Sequence, residues 1–364
     1  MTLSTLRLPV AWLTVAGALA APTVLLANPF LTTLIFVWIL GTILWSAFGV
    51  VHEAEGLAEA LGEPVGTLVL TLSIIIIEVA LISAVMLSSH GVPTLGRDTM
   101  FAVLMVVLNG VVGIGLLIGG LRHHQQTYNL QGASAYLALI LPLTMIALVL
   151  PNFTTSTGPG TLSLVQAVFF SLFTIGLYGL FLWLQTGRCQ GFFVPVGDEE
   201  AAALPEPEHA HVGTGSTGRR FLLLLANILP IIILSKSLAK LLDAGIEGLG
   251  APAALGGIII AMVVLMPEGI SAIRAVSANQ LTRAINLSLG AATSTVGLTV
   301  PAVLGIGLFT GQQVVLGLSP ANMVLLIITL VLSTLTFSGG RTTMLEGAVH
   351  LSLFAVFLVL VFSP

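Results

Sequence analysis

Charge is what this chain has least of. Of 364 residues, 7% are Asp, Glu, Lys or Arg, against 56% hydrophobic, whereas a soluble domain carries about a quarter charged residues. So few charges cannot keep a chain of this size in water. A soluble protein is excluded, and an all-α polytopic membrane protein is expected. The net charge of −4 offers no basic surface for nucleic acid. There is one cysteine, Cys189, so an intrachain disulfide is impossible. No base accompanies that thiol in the sequence, and it reads as inert.

What the chain has is apolar sequence in runs of about twenty residues, the length that crosses a bilayer as a helix. Polar residues and Pro/Gly breaks divide it into eleven expected spans, near 8–27, 30–51, 64–88, 99–120, 133–151, 161–184, 220–242, 252–273, 284–309, 320–337 and 342–363. The opening "RLPVAWLTVAGALAAP" has the outline of a signal peptide, yet the apolar run continues to Ala27 and is long enough to span, so a retained first helix is expected. With the N-terminus inside, Arg7, Arg122, Arg188, Arg219, Arg220, Arg274, Arg283 and Arg341 fall on the cytoplasmic side, and only Arg97, Lys236 and Lys240 face the other way. That bias predicts an N-in, C-out arrangement with an odd number of spans. The single long hydrophilic stretch, "GDEEAAALPEPEHAHVGTGSTGRR" from Gly197, reads as a solvated cytoplasmic loop. His209 and His211 within it lack a packed scaffold to fix metal geometry.

Two spans carry an acid where one is costly. Glu78 sits in "SIIIIEVALIS" and Glu268 in "VVLMPEGISA". Glu78 follows Gly66 by twelve residues, Glu268 follows Gly256 by twelve, and each acid precedes a Ser-Ala pair, Ser83-Ala84 and Ser271-Ala272. The acids fall on the third and eighth spans. An odd separation of five makes the two helices cross in opposite directions, as in an inverted-topology repeat. The expected organisation is an extra helix over 1–28, a five-helix repeat over 29–184, a loop over 185–219 and a second five-helix repeat over 220–364.

A charged acid at mid-bilayer costs ~2.5–3.5 kcal/mol. It escapes that cost by taking a proton or by keeping a cation beside it. Two such acids brought together would bind protons or a metal ion in competition, which is antiport in its simplest form. Thr67 and Thr71 share the face of Glu78, and Gly257, Ala261, Ser271, Ala272 and Ala275 lie near that of Glu268. Pro267 leaves the carbonyl of Val263 without its helical donor. Asn109 in the fourth span and "ATST" over Ala292–Thr295 in the ninth place polar groups in corresponding elements. The candidate supporting ligands are therefore Thr71, Ser83, Asn109, Val263, Ser271, Asn286 and Ser294. The alternative for each hydroxyl is a bond back to its own helix, and for the amides a bond between helices.

Three stretches carry a resemblance: "HEAEGLAEALGEPVGTLVLTLSIIIIEVALISA", "MPEGISAIRAVSANQLTRAINLSLGAATSTVGLTVPAVL" and "SGGRTTMLEGAVHLSLFAVFLVLVF". They resemble the two alpha-repeats and the last helix of the cation/proton exchanger family of the calcium:cation antiporter superfamily, in a bacterial branch that moves Na⁺ and K⁺ as well as Ca²⁺. The resemblance implies eleven spans, an acidic cytoplasmic loop after the sixth, and proton-coupled cation export across a bacterial inner membrane. It places Glu78 and Glu268 on the essential acids of the two repeats and Glu55 on the acid of the family's Thr-Glu-x-Leu-Ala stretch. Ile75 and Leu265 stand where the family commonly has Asn, and Gly269 where it has His. Ca²⁺ takes about six to eight oxygens, so the loss of two amide oxygens favours Na⁺, K⁺ or weakly held Ca²⁺.

Glu55 and Glu346, near helix ends, are candidates for proton entry or gating, or are ordinary interfacial charges. A cation channel would share the acids without proton coupling. A membrane enzyme would find its best acidic cluster in "HEAEGLAEALGE", which lacks the His-Glu-x-x-His spacing that puts two ligands on one face. No cofactor is expected. The expected partners are lipid and small cations, and homo-oligomerisation is left open.

Overall fold

The computed structural model describes residues 3–20, 28–62, 65–88, 92–195 and 217–363. Within them are eleven helical segments: α1 Leu3–Ala20, α2 Pro29–Leu61, α3 Val65–Ser88, α4 Leu95–His123, α5 Leu130–Asn152, α6 Leu164–Thr186, α7 Thr217–Leu249, α8 Ala254–Ser277, α9 Leu281–Thr310, α10 Pro320–Thr336 and α11 Met344–Phe362. Eight are long and apolar enough to cross a membrane, and α1, α3 and α10 hold shorter apolar stretches. The chain is an all-helical membrane protein.

Local chemistry sets the ends. The Asn28 side chain accepts from the Leu31 N–H, with Pro29 opening α2, a position where proline's missing donor costs nothing. Ser163–Gln166 and Thr343–Glu346 form capping boxes at α6 and α11, satisfying backbone donors that a helix start leaves open. The expected end of α2 was Val51, but the helix runs to Leu61 through "HEAEGLAEAL". Its Ala, Glu and Leu are good helix formers, and the stop comes at Gly62, whose φ of 66° suits glycine.

Three helices are interrupted by π turns: Val106–Val111 in α4, Met145–Val149 in α5 and Thr295–Thr299 in α9. α4 and α9 are five spans apart and hold Asn109 and the "ATST" stretch respectively. A π turn widens the helix by a residue and recurs at functional sites.

The chain divides into two compact units, each drawn from both halves of the sequence. Unit 1 comprises Met1–Leu95 and His209–Pro267, and unit 2 comprises Gly96–Glu208 and Glu268–Pro364. In unit 1, α2 packs on α1, α3 and α7, and α3 packs on α7. In unit 2, α11 packs on α4 and its π turn, α9 on α4, α5 and α6, and α10 on α11.

Two short strands close one end of unit 2. β1 (Gln126–Thr127) pairs antiparallel with β2 (Arg341–Thr342), Gln126 opposite Thr342 and Thr127 opposite Arg341. The buried Gln126 amide donates to the carbonyl of Val276 at 3.0 Å and to Asn279 Oδ1 at 2.9 Å. Tyr128 packs edge-on against Phe337 at 5.5 Å and accepts from the Gly340 N–H; burial holds its hydroxyl above the usual phenol range.

α4 and α11 meet through glycines. A Cβ on Gly347 would fall against the backbone of Leu117 and lie 2.8 Å from the carbonyl of Gly113, and a Cβ on Gly120 would fall on the backbone of Met344. Small residues let membrane helices approach to backbone contact. Gly347→Val is expected to cost about 1–3 kcal/mol or more through overpacking. Thermal unfolding in detergent checks this, with Gly179→Ala as control because nothing lies within 4 Å of its added Cβ.

Candidate functional site

Both acids are buried, Glu78 at 2% exposure and Glu268 at 8%, which excludes a lipid-facing role for either. The pattern around them repeats. Leu72 and Ile76 are the outward residues of this part of α3, and Met262 and Met266 those of α8. They fall at the same offsets, six and ten, after Gly66 and Gly256. The acid follows two positions later in each helix, turned inward. Ile75 and Leu265 are likewise both buried, so the two positions where the amide oxygens are missing are filled with hydrocarbon.

In unit 1, α3 presents Ser73 and Glu78 to the interior, α2 presents Thr42 and Ser46, and α7 presents Asn227 and Ser235. The hydroxyl of Ser46 and Oδ1 of Asn227 are buried without a hydrogen-bond partner among the described residues. Gly49 makes room for a charged neighbour. A Cβ there would collide with the Arg7 guanidinium and lie 2.5 Å from Asn227 Oδ1, and Arg7 also pairs with Glu53 at 3.9 Å. The side chain of Thr67 lies outside the described residues. Thr71 is half-buried. Ser83 donates its hydroxyl to the Val79 carbonyl. That bond uses the proton and leaves oxygen lone pairs able to face a cation.

In unit 2, the residue after Glu268 touches the π turn of α4: a Cβ on Gly269 would come 3.2 Å from Val111 Cγ2. Ala272 and Val276, farther along the helix, line a cavity of about 20 Å³ with Val111, Gly115 and Ser288. Two residues before Val111 is Asn109, fully buried. Its amide nitrogen donates to Thr329 Oγ1 at 2.8 Å, and its oxygen lies 3.1 Å from Nδ1 of His350. Nε2 of that ring is 3.0 Å from Thr336 Oγ1. Thr293, Ser294, Thr295 and Thr299 are also buried. Thr293 and Ser294 donate to the carbonyls of Leu289 and Ala291 in their own helix.

The remaining candidates are placed as follows. Val263 is buried and Ser271 half-buried, with Pro267 inside α8. The Asn286 amide donates to the carbonyl of Phe193 at 2.6 Å, tying α9 to the turn after α6. Glu55 is exposed on the extension of α2. Glu346 accepts from the N–H and hydroxyl of Thr343. His209 and His211 lie outside the described residues. Among the described residues, no three of His, Cys, Asp and Glu gather as metal ligands.

A family model described as sodium/calcium exchanger protein matches residues 31–187 and 220–363. The chain belongs to this family. The sodium-potassium/proton antiporter ChaA of Escherichia coli strain K12 is 39% identical over 88% of this chain and 87% of its own. Among solved structures, native YfkE superposes with a TM-score of 0.73 at 18% identity, covering 97% of this chain and 100% of that one. The H⁺/Ca²⁺ exchanger CAX gives 0.69 at 17%, covering 98% and 89%. These two likenesses show the sodium/calcium exchanger fold. The protein is a transporter of small cations and not an enzyme.

Sequence reading of this exchanger passed over Ser46, Asn227, Thr329, Thr336 and His350. For Ser46, Asn227, Thr329 and His350 the signal was a polar residue in an apolar run, the same signal that drew attention to Asn109; Thr336 lies among Ser333, Thr334 and Ser338.

The capping box gives Glu346 a structural task. Glu346→Ala is expected to lose about 1 kcal/mol from the start of α11, whereas Glu346→Gln retains the box. Melting in detergent checks the difference.

Proposed function

We propose that this exchanger is a cation/proton antiporter in which Glu78 and Glu268 each hold either a proton or part of a cation's coordination shell. One observation carries the reading. Two acids stand at the same offset in corresponding spans of a sodium/calcium exchanger fold, and both are turned away from the outward face. A buried carboxylate must be neutralised by one partner or the other, so loading one expels its competitor.

The inverted repeat is supported by the two separate stretches that match the family model and by π turns in both α4 and α9. Alternating access then exchanges the conformations of equivalent elements. The N-terminus is cytoplasmic and the membrane is the bacterial inner membrane, a reading supported by the Lys and Arg distribution. The cation is Na⁺ or K⁺, with Ca²⁺ held weakly. The name of the Escherichia coli relative and the hydrocarbon at Ile75 and Leu265 both support that choice. Thr71, Ser83, Asn109, the carbonyl of Val263, Ser271, Asn286 and Ser294 supply further oxygens across the cycle. Glu55 and Glu346 serve proton entry.

Everted vesicles with a pH-sensitive dye test the reading. Glu78→Gln and Glu268→Gln mimic the protonated acid and are expected to cut exchange at least about a hundredfold while the protein still inserts. Near-normal exchange in either variant removes that acid from the mechanism. In the wild type the half-saturating Na⁺ concentration is expected to rise as pH falls, by up to about tenfold per unit where one proton competes with one cation. Cation flux without a proton returned points to a channel and overturns antiport.

A further inference from the structure

The side chains around Asn109 form a one-way chain. An amide oxygen can only accept, so the hydrogen between Asn109 Oδ1 and His350 Nδ1 belongs to the ring. The other nitrogen of a neutral imidazole accepts, and Thr336 donates to it. On the far side the Asn109 amide nitrogen donates to Thr329. Hydrogens thus run from Thr336 through His350 and Asn109 to Thr329, joining α10, α11 and the π turn of α4. Asn109, Thr329 and His350 have no exposed surface, and Thr336 has 4%. Thr329 and Thr336 are seven residues apart on one face of α10.

A ring proton on Nε2 would oblige Thr336 to turn from donor to acceptor. Few charges bear on the ring. Glu346 lies one turn away on its own helix, engaged in the cap. On α4, Arg97 and Asp98 are paired with each other, and Arg122 and His123 stand at the opposite end. α10 has no titratable side chain.

We propose that His350 is a positioning residue for cation exchange: its Nδ1–H fixes the Asn109 amide inside the π turn that touches the Glu268 segment, and tight holding of the cation depends on that donor rather than on a proton carried by the ring. The proposal rests on the antiport reading above. In it, Asn109 is the group near the cation and His350 acts through it.

The test uses full-length protein in everted vesicles, with Na⁺ as the cation. His350→Leu removes the donor and is expected to raise the half-saturating Na⁺ concentration about five- to tenfold, leaving the maximal rate within about twofold of wild type. His350→Asn places an amide N–H near the Nδ1 position and is expected to restore half-saturation to within about twofold, with the pH profile of the wild type. Wild-type half-saturation in His350→Leu overturns the proposal, as does failure of His350→Asn to rescue. A displaced acid limb in His350→Asn also overturns it, because the ring would then carry a proton. If His350→Leu does not accumulate, Thr329→Val removes the acceptor at the other end of the chain and is expected to raise half-saturation likewise; an unchanged value overturns the proposal. Absence of proton-coupled Na⁺ flux in the wild type would sink the antiport reading and this proposal together. Normal wild-type exchange beside an indifferent His350→Leu would sink this proposal alone.

Discussion

A carboxylate inside a membrane span has no water to hold its charge, and what takes the place of that water shapes the structure around it. Glu78 and Glu268 are turned inward, while Leu72 and Ile76 in α3 and Met262 and Met266 in α8 face outward. Neutral polar groups are buried in both units. Hydroxyls of Ser46, Ser73 and Ser83 and the amide of Asn227 lie in unit 1, and hydroxyls along α9 and α10 with the amide of Asn109 lie in unit 2. A buried lysine beside either acid would neutralise it permanently. A neutral partner, by contrast, leaves the charge of a buried carboxylate to be balanced by a proton or a mobile cation.

The same constraint explains the irregular helices. Spanning segments must satisfy their own backbone groups, yet cation sites want carbonyls that are not so committed. Pro267 in α8 and the π turns in α4, α5 and α9 release or displace individual backbone groups without breaking a helix. Pro267 falls next to Glu268 and one π turn holds Asn109, and the π turns of α4 and α9 lie five segments apart.

Much of the architecture was legible because a bilayer imposes a length and a polarity on each segment. The eleven helical segments follow from that, and so does the burial of Glu78 and Glu268. The extension of α2 was not legible by hydropathy, since "HEAEGLAEAL" is polar enough to resemble a loop while being an excellent helix. Arg97 counted only as one of three cations on the minority side. In the fold it pairs with Asp98 and donates to the carbonyl of Gly317 at 2.8 Å, strapping down a segment that periodicity could not place. Asn286 and Asn109 looked alike as ligands. One of them ties α9 to Phe193 and the other joins a buried relay of side chains, a difference set by partners 93 and 220 residues away.

That separation bears on biosynthesis. Asn109 enters the membrane 220 residues ahead of Thr329 and 241 ahead of His350, so for most of translation its amide has only the sulfur of Met105 in its own helix to bond. Each unit, moreover, is woven from helices made early and late. A chain cut short before α10 and α11 would keep α4 but leave the Asn109 amide without either of its distant partners.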